Sequence, residues 1–149
     1  MFQTSKVLPY PADFLKEIVA DVEQYPSFLP MLKAVAIYPK TNDFFEADLT
    51  IGAGSFEKTY RSEVFIFGDA VEAKAKPDNT FKFLESRWHF TNYENNRCLV
   101  NFCVDFKLQS TLLQITVGKF LDSAAQTMMA AFEHRAARLW QQPEDDYDV

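Results

Sequence analysis

Histidine, cysteine and glycine are scarce in this chain, and each scarcity excludes something. Two histidines in 149 residues are too few for most metal or acid–base sites. His89 alternates with Trp88 and Phe90 and is expected on a wet strand face, and His134 lies between Glu133 and Arg135. Neither has a second His, a Cys or a carboxylate at ligand spacing, so a solvated or salt-bridged histidine is the stronger reading. The two cysteines, Cys98 and Cys103, stand five positions apart in one alternating segment. That odd separation points them to opposite faces, and five residues of strand span about 17 Å. A disulfide needs Cα atoms within about 7 Å, so reduced thiols are expected, as inside a cell. With only 4 glycines there is no phosphate-binding glycine loop and no G-x-S-x-G nucleophile elbow. No run approaches the roughly 18 apolar residues of a membrane span. Residues 1–20 lack a basic start followed by an apolar stretch, so no signal peptide is expected and the protein is read as soluble and cytoplasmic. Basic charge is also short: 15 Lys and Arg against 21 Asp and Glu give a net charge of −6. Such a chain carries no electrostatic footprint for DNA, and it is repelled by an anionic membrane leaflet.

Phenylalanine is what the chain has in abundance: 15 of them, within an aromatic share of 15%. Phenylalanine brings apolar area with no polar handle. One domain of this length must either pack so many rings tightly or line a pocket with them. The order of patterns gives a frame. Residues 3–8 suggest a short strand. Pro11 fits a first helical position, and Phe14, Leu15, Ile18, Val19 and Val22 recur at helical spacing over about three turns. Alternating segments follow, centred on Phe45–Ile51, Phe56–Ile66, Val71–Ala75, Leu84–Phe90 and Cys98–Leu108. They are separated by Gly52 and Gly54, Gly68-Asp69, Pro77-Asp78-Asn79 and Glu94-Asn95-Asn96, and read as half-buried antiparallel strands. About 30 helical residues come next, starting at the capping-box spacing of Thr111 and Gln114. Their broad apolar stripe runs through Leu113, Val117, Phe120, Leu121, Ala124, Met128, Phe132 and Leu139. A one-sided sheet needs a cover, and one long helix laid across it supplies that cover. Residues 1–142 are therefore read as a single α+β domain, and 143–149 as a short acidic tail.

Residues 19–31, Val-Ala-Asp-Val-Glu-Gln-Tyr-Pro-Ser-Phe-Leu-Pro-Met, break this regularity. Pro26 and Pro30 each remove a backbone donor and fix φ. Between them, Phe28 and Leu29 sit on a segment too broken for a regular core helix. The segment either caps the core as an irregular connection or forms a lid over a cavity for an apolar ligand.

The block Asp21-Val22-Glu23-x-Tyr25-Pro26-x-Phe28-Leu29-Pro30 resembles a signature of the coenzyme Q-binding, START-like family. Three further blocks are similar to that family in the same order. They are Phe81-Lys82-Phe83-Leu84-Glu85-Ser86-Arg87-Trp88-His89-Phe90, Val104 to Leu113, and Phe132-Glu133-x-Arg135-Ala136, after an N-terminal Lys6 to Ala12. The resemblance implies a helix-grip fold: a curved antiparallel sheet wrapped around a long C-terminal helix, with short helices near the N-terminus. It implies a quinone or related lipid as ligand. It also leaves open a ribosomal role, since bacterial members include a toxin that blocks subunit association, and a cyclase or aromatase role, since polyketide cyclases use a similar fold.

The expected lid is Tyr25, Pro26, Phe28, Leu29 and Pro30. The expected cavity wall is Leu49, Tyr60, Ser62, Trp88, Phe90 and Phe102, with Phe120 and Ala124 from the helix. Lys58 shares the face of Tyr60 and Ser62. It either snorkels to water or anchors a ligand carbonyl. Relatives often carry glutamate at the position of Lys58 and glycine at that of Ser86, so head-group recognition does not transfer and Ser86 is expected to narrow the cavity. No catalytic residue, metal or cofactor is expected. The reading is a non-enzymatic binder of ubiquinone or a related isoprenoid in support of respiratory electron transport. Transient membrane contact, peripheral to the inner membrane, goes with that reading.

Overall fold

The computed structural model describes residues 1–39 and 41–147, with side-chain surroundings as far as residue 140. The elements are β1 (Phe2–Leu8), α1 (Ala12–Ala20), a short 3-10 helix (Val22–Ser27), β2 (Leu32–Ile37), β3 (Phe44–Ala53), β4 (Phe56–Phe67), β5 (Ala70–Ala75), β6 (Phe81–Tyr93), β7 (Arg97–Leu108) and α2 (Thr111–Tyr147). The strands form one seven-stranded antiparallel sheet in the order β1-β7-β6-β5-β4-β3-β2. Strands β2 to β7 are a meander, and β1 returns to pair with β7. The first two strands in sequence are thus the two edges of the sheet. The helical segment between them, α1 and the 3-10 helix, bridges those edges and lies over one end of the sheet.

Turn chemistry agrees with the breaks read from the sequence. Gly54 has φ +61° and Gly68 φ +51°, while Asn95 and Asn96 take φ 62° and 56° at the β6–β7 hairpin. These are left-handed positions that glycine and asparagine tolerate best. A Cβ on Gly52 would lie 2.5 Å from the Phe56 carbonyl oxygen, so the β3–β4 hairpin needs a bare Cα there. Register shifts near Leu32/Ala34 and Phe81/Phe83 mark irregularities of the kind that bend a sheet.

The sheet is apolar on the face that α2 covers. Val117, Leu121, Ala125, Met129, Phe132 and Ala136 are buried along the helix. They recur at four-, four-, four-, three- and four-residue spacing, one stripe of a 3.6-residue period. Cys98, Val100 and Phe102 are buried beneath them on β7, while Cys103 points to the opposite face and is half-buried. Both cysteines are free thiols.

Two local expectations are corrected. Pro11 is not the first helical residue; it precedes Ala12 in an extended conformation, φ −69° and ψ 152°. The first helical amide, Ala12 N–H, is instead capped by Asn92 Oδ1 from β6 at 3.0 Å. At the start of α2 the cap is Ser110, whose Oγ accepts the Leu113 N–H at 3.2 Å, one residue earlier than the Thr111/Gln114 spacing suggests. The helix α2 runs to Tyr147, and Asp148 and Val149, the end of the expected acidic tail, lie outside the described residues. The edge strand β2 adds an element that the alternating pattern does not reveal.

Candidate functional site

Between the sheet, the N-terminal half of α2 and the lid segment lies a cavity of about 160 Å³. Strands β3 to β7 supply its wall. Leu49, Tyr60, Ser62, Trp88 and Phe102 all line it, with Phe120 and Ala124 contributed by α2. Strand alternation explains the grouping. Tyr60 and Ser62 are two apart on β4, and the register sets Leu49 opposite Tyr60 and Trp88 opposite Phe102. Small side chains make the space: Ser62, Ala73, Ser86, Ala124 and Ala125 all border it.

The lid residues separate. Tyr25 and Leu29 line the cavity, and Leu29 is among the most deeply buried side chains. Pro26 and Pro30 are exposed and do not reach it. Phe28 also lies outside its lining, next to a surface recess that it shares with Arg135. Its ring meets Phe132 edge-on at 5.0 Å, and the Arg135 guanidinium sits 5.1 Å above it. Phe28 and Leu29 follow the end of the 3-10 helix in irregular backbone, Phe28 at φ −139° and ψ −3°, and there their side chains part. Phe90 is fully buried but borders a small void under α1 with Leu15, Val19 and Val100, away from the main cavity.

Ring contacts hold the 25–29 segment against α2. Tyr25, Phe28 and Phe132 meet pairwise in T-shaped contacts at 5.0–5.9 Å, the preferred geometry for ring pairs. Trp88 then packs on Phe132 at 4.8 Å and on Phe102 at 4.4 Å. One ring, Phe132, therefore links lid, helix and cavity wall. The Tyr25 hydroxyl donates to the Val19 carbonyl, tying the lid back to the end of α1.

The electrostatics of the cavity are those of neutral groups. Burial pushes the Tyr60 phenol well above its ordinary range. Burial, then the nearby Asp21 charge and Tyr60, does the same to Tyr25. Lys58 stands outside the cavity lining and pairs with Asp78 at 3.1 Å. Burial raises the Asp78 carboxyl, but amide hydrogen bonds from Phe81 and Thr80 together with Lys58 outweigh it and hold the group below its ordinary value. Lys58 is thus held in an ion pair. Among the described residues no three His, Cys, Asp or Glu side chains converge as a metal site. No described helix is long and apolar enough to cross a membrane.

Several wall residues were not singled out from the sequence: Val22, Met31, Ile51, Val71, Val104 and Met128. Apolar alternation marks most of them as inward-facing but cannot say which inward side chains border a void.

An antiparallel sheet closed over by one long helix, with an apolar cavity between them, is the helix-grip architecture of START-like proteins. Residues 8–133 match the family described as polyketide cyclase / dehydrase and lipid transport, and the chain belongs to that family. It is 31% identical over 139 residues to the ribosome association toxin RatA of Pseudomonas aeruginosa, covering 93% of this chain and 96% of the toxin. It is 29% identical over 143 residues to the mitochondrial coenzyme Q-binding protein COQ10 homolog B of Xenopus laevis, covering 93% of this chain and 59% of that protein. A START superfamily protein from Mycobacterium smegmatis shares the fold, with a TM-score of 0.78 at 17% identity, covering 93% of this chain and 97% of that one.

Proposed function

We propose that the chain binds a hydrophobic ligand without transforming it, and that the ligand is ubiquinone or a related isoprenoid, in support of quinone-dependent respiration. The carrying observation is the cavity: about 160 Å³, walled by Leu, Val, Trp and Phe side chains with only hydroxyls among them. An apolar cavity of about 150 Å³ stays dry and accepts a single aromatic ring. The space therefore suits the ring of a quinone and not its tail, which must leave past the lid. The likeness to a protein named for coenzyme Q binding supports the choice of ring. Enzymatic cyclisation is the weaker reading, because general acid–base work needs groups titrating near the working pH. The cavity phenols are both pushed upward, away from that range.

The test is a titration with short-chain ubiquinone. Trp88 is buried on the cavity wall, while Trp140 is half-exposed and packs on Phe14 at 4.9 Å, remote from the cavity lining. In a Trp140→Phe variant, Trp88 emission is expected to quench saturably at a 1:1 end point. Unchanged emission at saturating quinone would remove the site. Mass spectrometry of organic extract from protein isolated from its own host should then show a stoichiometric isoprenoid quinone.

A second reading is action on the ribosome, favoured by 31% identity across almost the whole of a ribosome association toxin. The net charge of −6 opposes a broad rRNA contact. Empty protein that co-sediments with large ribosomal subunits at physiological salt would support this second reading.

A further inference from the structure

Four hydroxyl-bearing side chains interrupt the apolar wall: Tyr25, Tyr60, Ser62 and Ser86. Tyr25 is committed to the Val19 carbonyl. Among the described residues, the hydroxyls of Tyr60, Ser62 and Ser86 have no protein hydrogen-bond partner, and none is sealed from open space. Ser62 is only 2% exposed, so the space its hydroxyl meets is the cavity and not bulk solvent. Tyr60 and Ser86 are half-buried, and Ser62 is the buried polar side chain among them; buried hydroxyls are satisfied as a rule. Unpartnered ones facing an apolar void mark the positions where a ligand presents polar atoms of its own.

Their placement constrains that ligand. Ser62 on β4 lies opposite Ala75 of β5, and Ser86 on β6 lies opposite Ala73 of the same strand. Two strand spacings and a two-residue offset set the serine Cα atoms about 12 Å apart on a flat sheet, and inward curvature brings the hydroxyls closer. Two O–H···O bonds of about 2.8 Å take up roughly half of this span. A six-membered ring with oxygens at opposite corners fills the rest. The small Ala73 side chain borders the cavity between the two serines, leaving a slot for the ring. Tyr60, two residues from Ser62 on the same face, adds a second donor at that end, and its raised pKa keeps it protonated. Among the described residues no cationic side chain lines the cavity, so a charged carboxylate or phosphate has no partner among them.

We propose that the cavity selects a neutral six-membered ring with hydrogen-bond acceptors at opposite positions, bridged between Ser62 on β4 and Ser86 on β6. This rests on the quinone-binding reading above and names the side chains that hold the ring. Ser62 and Ser86 are specificity-determining residues, with Tyr60 as an auxiliary donor.

The experiment compares duroquinone with durene, the same tetramethylated ring without its two opposed carbonyls. Binding is read from the Trp88 indole N–H resonance in the full-length Trp140→Phe protein. Duroquinone is expected to bind at least tenfold more tightly than durene. Ser62→Ala and Ser86→Ala should each weaken duroquinone about three- to tenfold and leave durene unchanged, with thermal melts confirming that each variant is folded. If duroquinone binds equally to wild type and to both alanine variants, the bridge is wrong while ligand binding stands. The bridge is equally wrong if durene binds as tightly as duroquinone. If neither ring perturbs Trp88 in the wild-type cavity, the ligand-binding reading itself falls, and the bridge with it.

Discussion

Replacing Phe132 by alanine is expected to lower the unfolding free energy by about 3–5 kcal/mol, the usual cost of truncating a close-packed phenylalanine. Phe132 is 4% exposed, and its ring touches Tyr25, Phe28 and Trp88. Its loss removes dispersion contacts with the 25–28 segment and with β6 at once. For a domain of this size the melting midpoint should fall by roughly 10–15 °C, measurable by circular dichroism. Phe102→Ala is the contrast. Phe102 is just as buried but borders the cavity, so its atoms are already only partly packed. Its truncation should cost less stability and change quinone affinity more. Equal destabilisation by the two variants with no effect on binding would remove Phe102 from the site.

The residues that made the sheet legible are those with one wet face. On β7, buried Cys98, Val100 and Phe102 alternate with partly exposed neighbours, and a period of two is then a direct image of burial. Strand β2 escaped because it is an edge. In Leu32–Ile37 only Leu32 is fully buried, while half-buried Val35 and Ile37 alternate with exposed Ala34 and Ala36. A register shift between Leu32 and Ala34 puts Leu32 out of step with them, so the strand's alternation is too short to stand out in the sequence. The cavity was legible in its larger residues, Leu49, Tyr60, Trp88 and Phe102, because they face inward on adjacent strands. Its volume was not. The space is created where Ser62, Ala73, Ser86, Ala124 and Ala125 face the same region, and that coincidence depends on strand register and helix placement. Phe90 shows the converse: it alternates correctly, is buried, and borders a different void. In the lid the prolines announced irregular backbone, but a 3-10 helix followed by a turn has no fixed side-chain period. The split between Phe28 and Leu29 is therefore a property of the folded chain that no sequence pattern encodes.

That split gives the two apolar lid residues different tasks and a second prediction of large effect. Leu29 is 2% exposed and faces the cavity; Phe28 packs on Phe132 and beneath Arg135, which in the lid reading makes it the catch. In the lid reading, a tailed quinone enters the ring site when part of the cavity wall moves. The segment 27–31 is the best candidate, since beyond Ser27 it is neither helix nor strand until β2 begins at Leu32. Leu29→Ser should abolish retention of ligand, because it sets a hydroxyl against the apolar void and forfeits about 1.5–3 kcal/mol of burial. Phe28→Ser should leave the cavity lining intact but release the catch, raising both association and dissociation rates. Hydrogen exchange provides the direct measurement. In the empty protein, amides within 27–31 should exchange faster than those at 99–106, which lie in a strand paired on both sides, to β1 and β6. They should slow when quinone binds, and Phe28→Ser should speed them further without affecting β7. If the segment is already as protected as β7 in the empty wild type, the lid does not open. The ligand must then be admitted elsewhere, and Phe28→Ser should leave the binding rates unchanged.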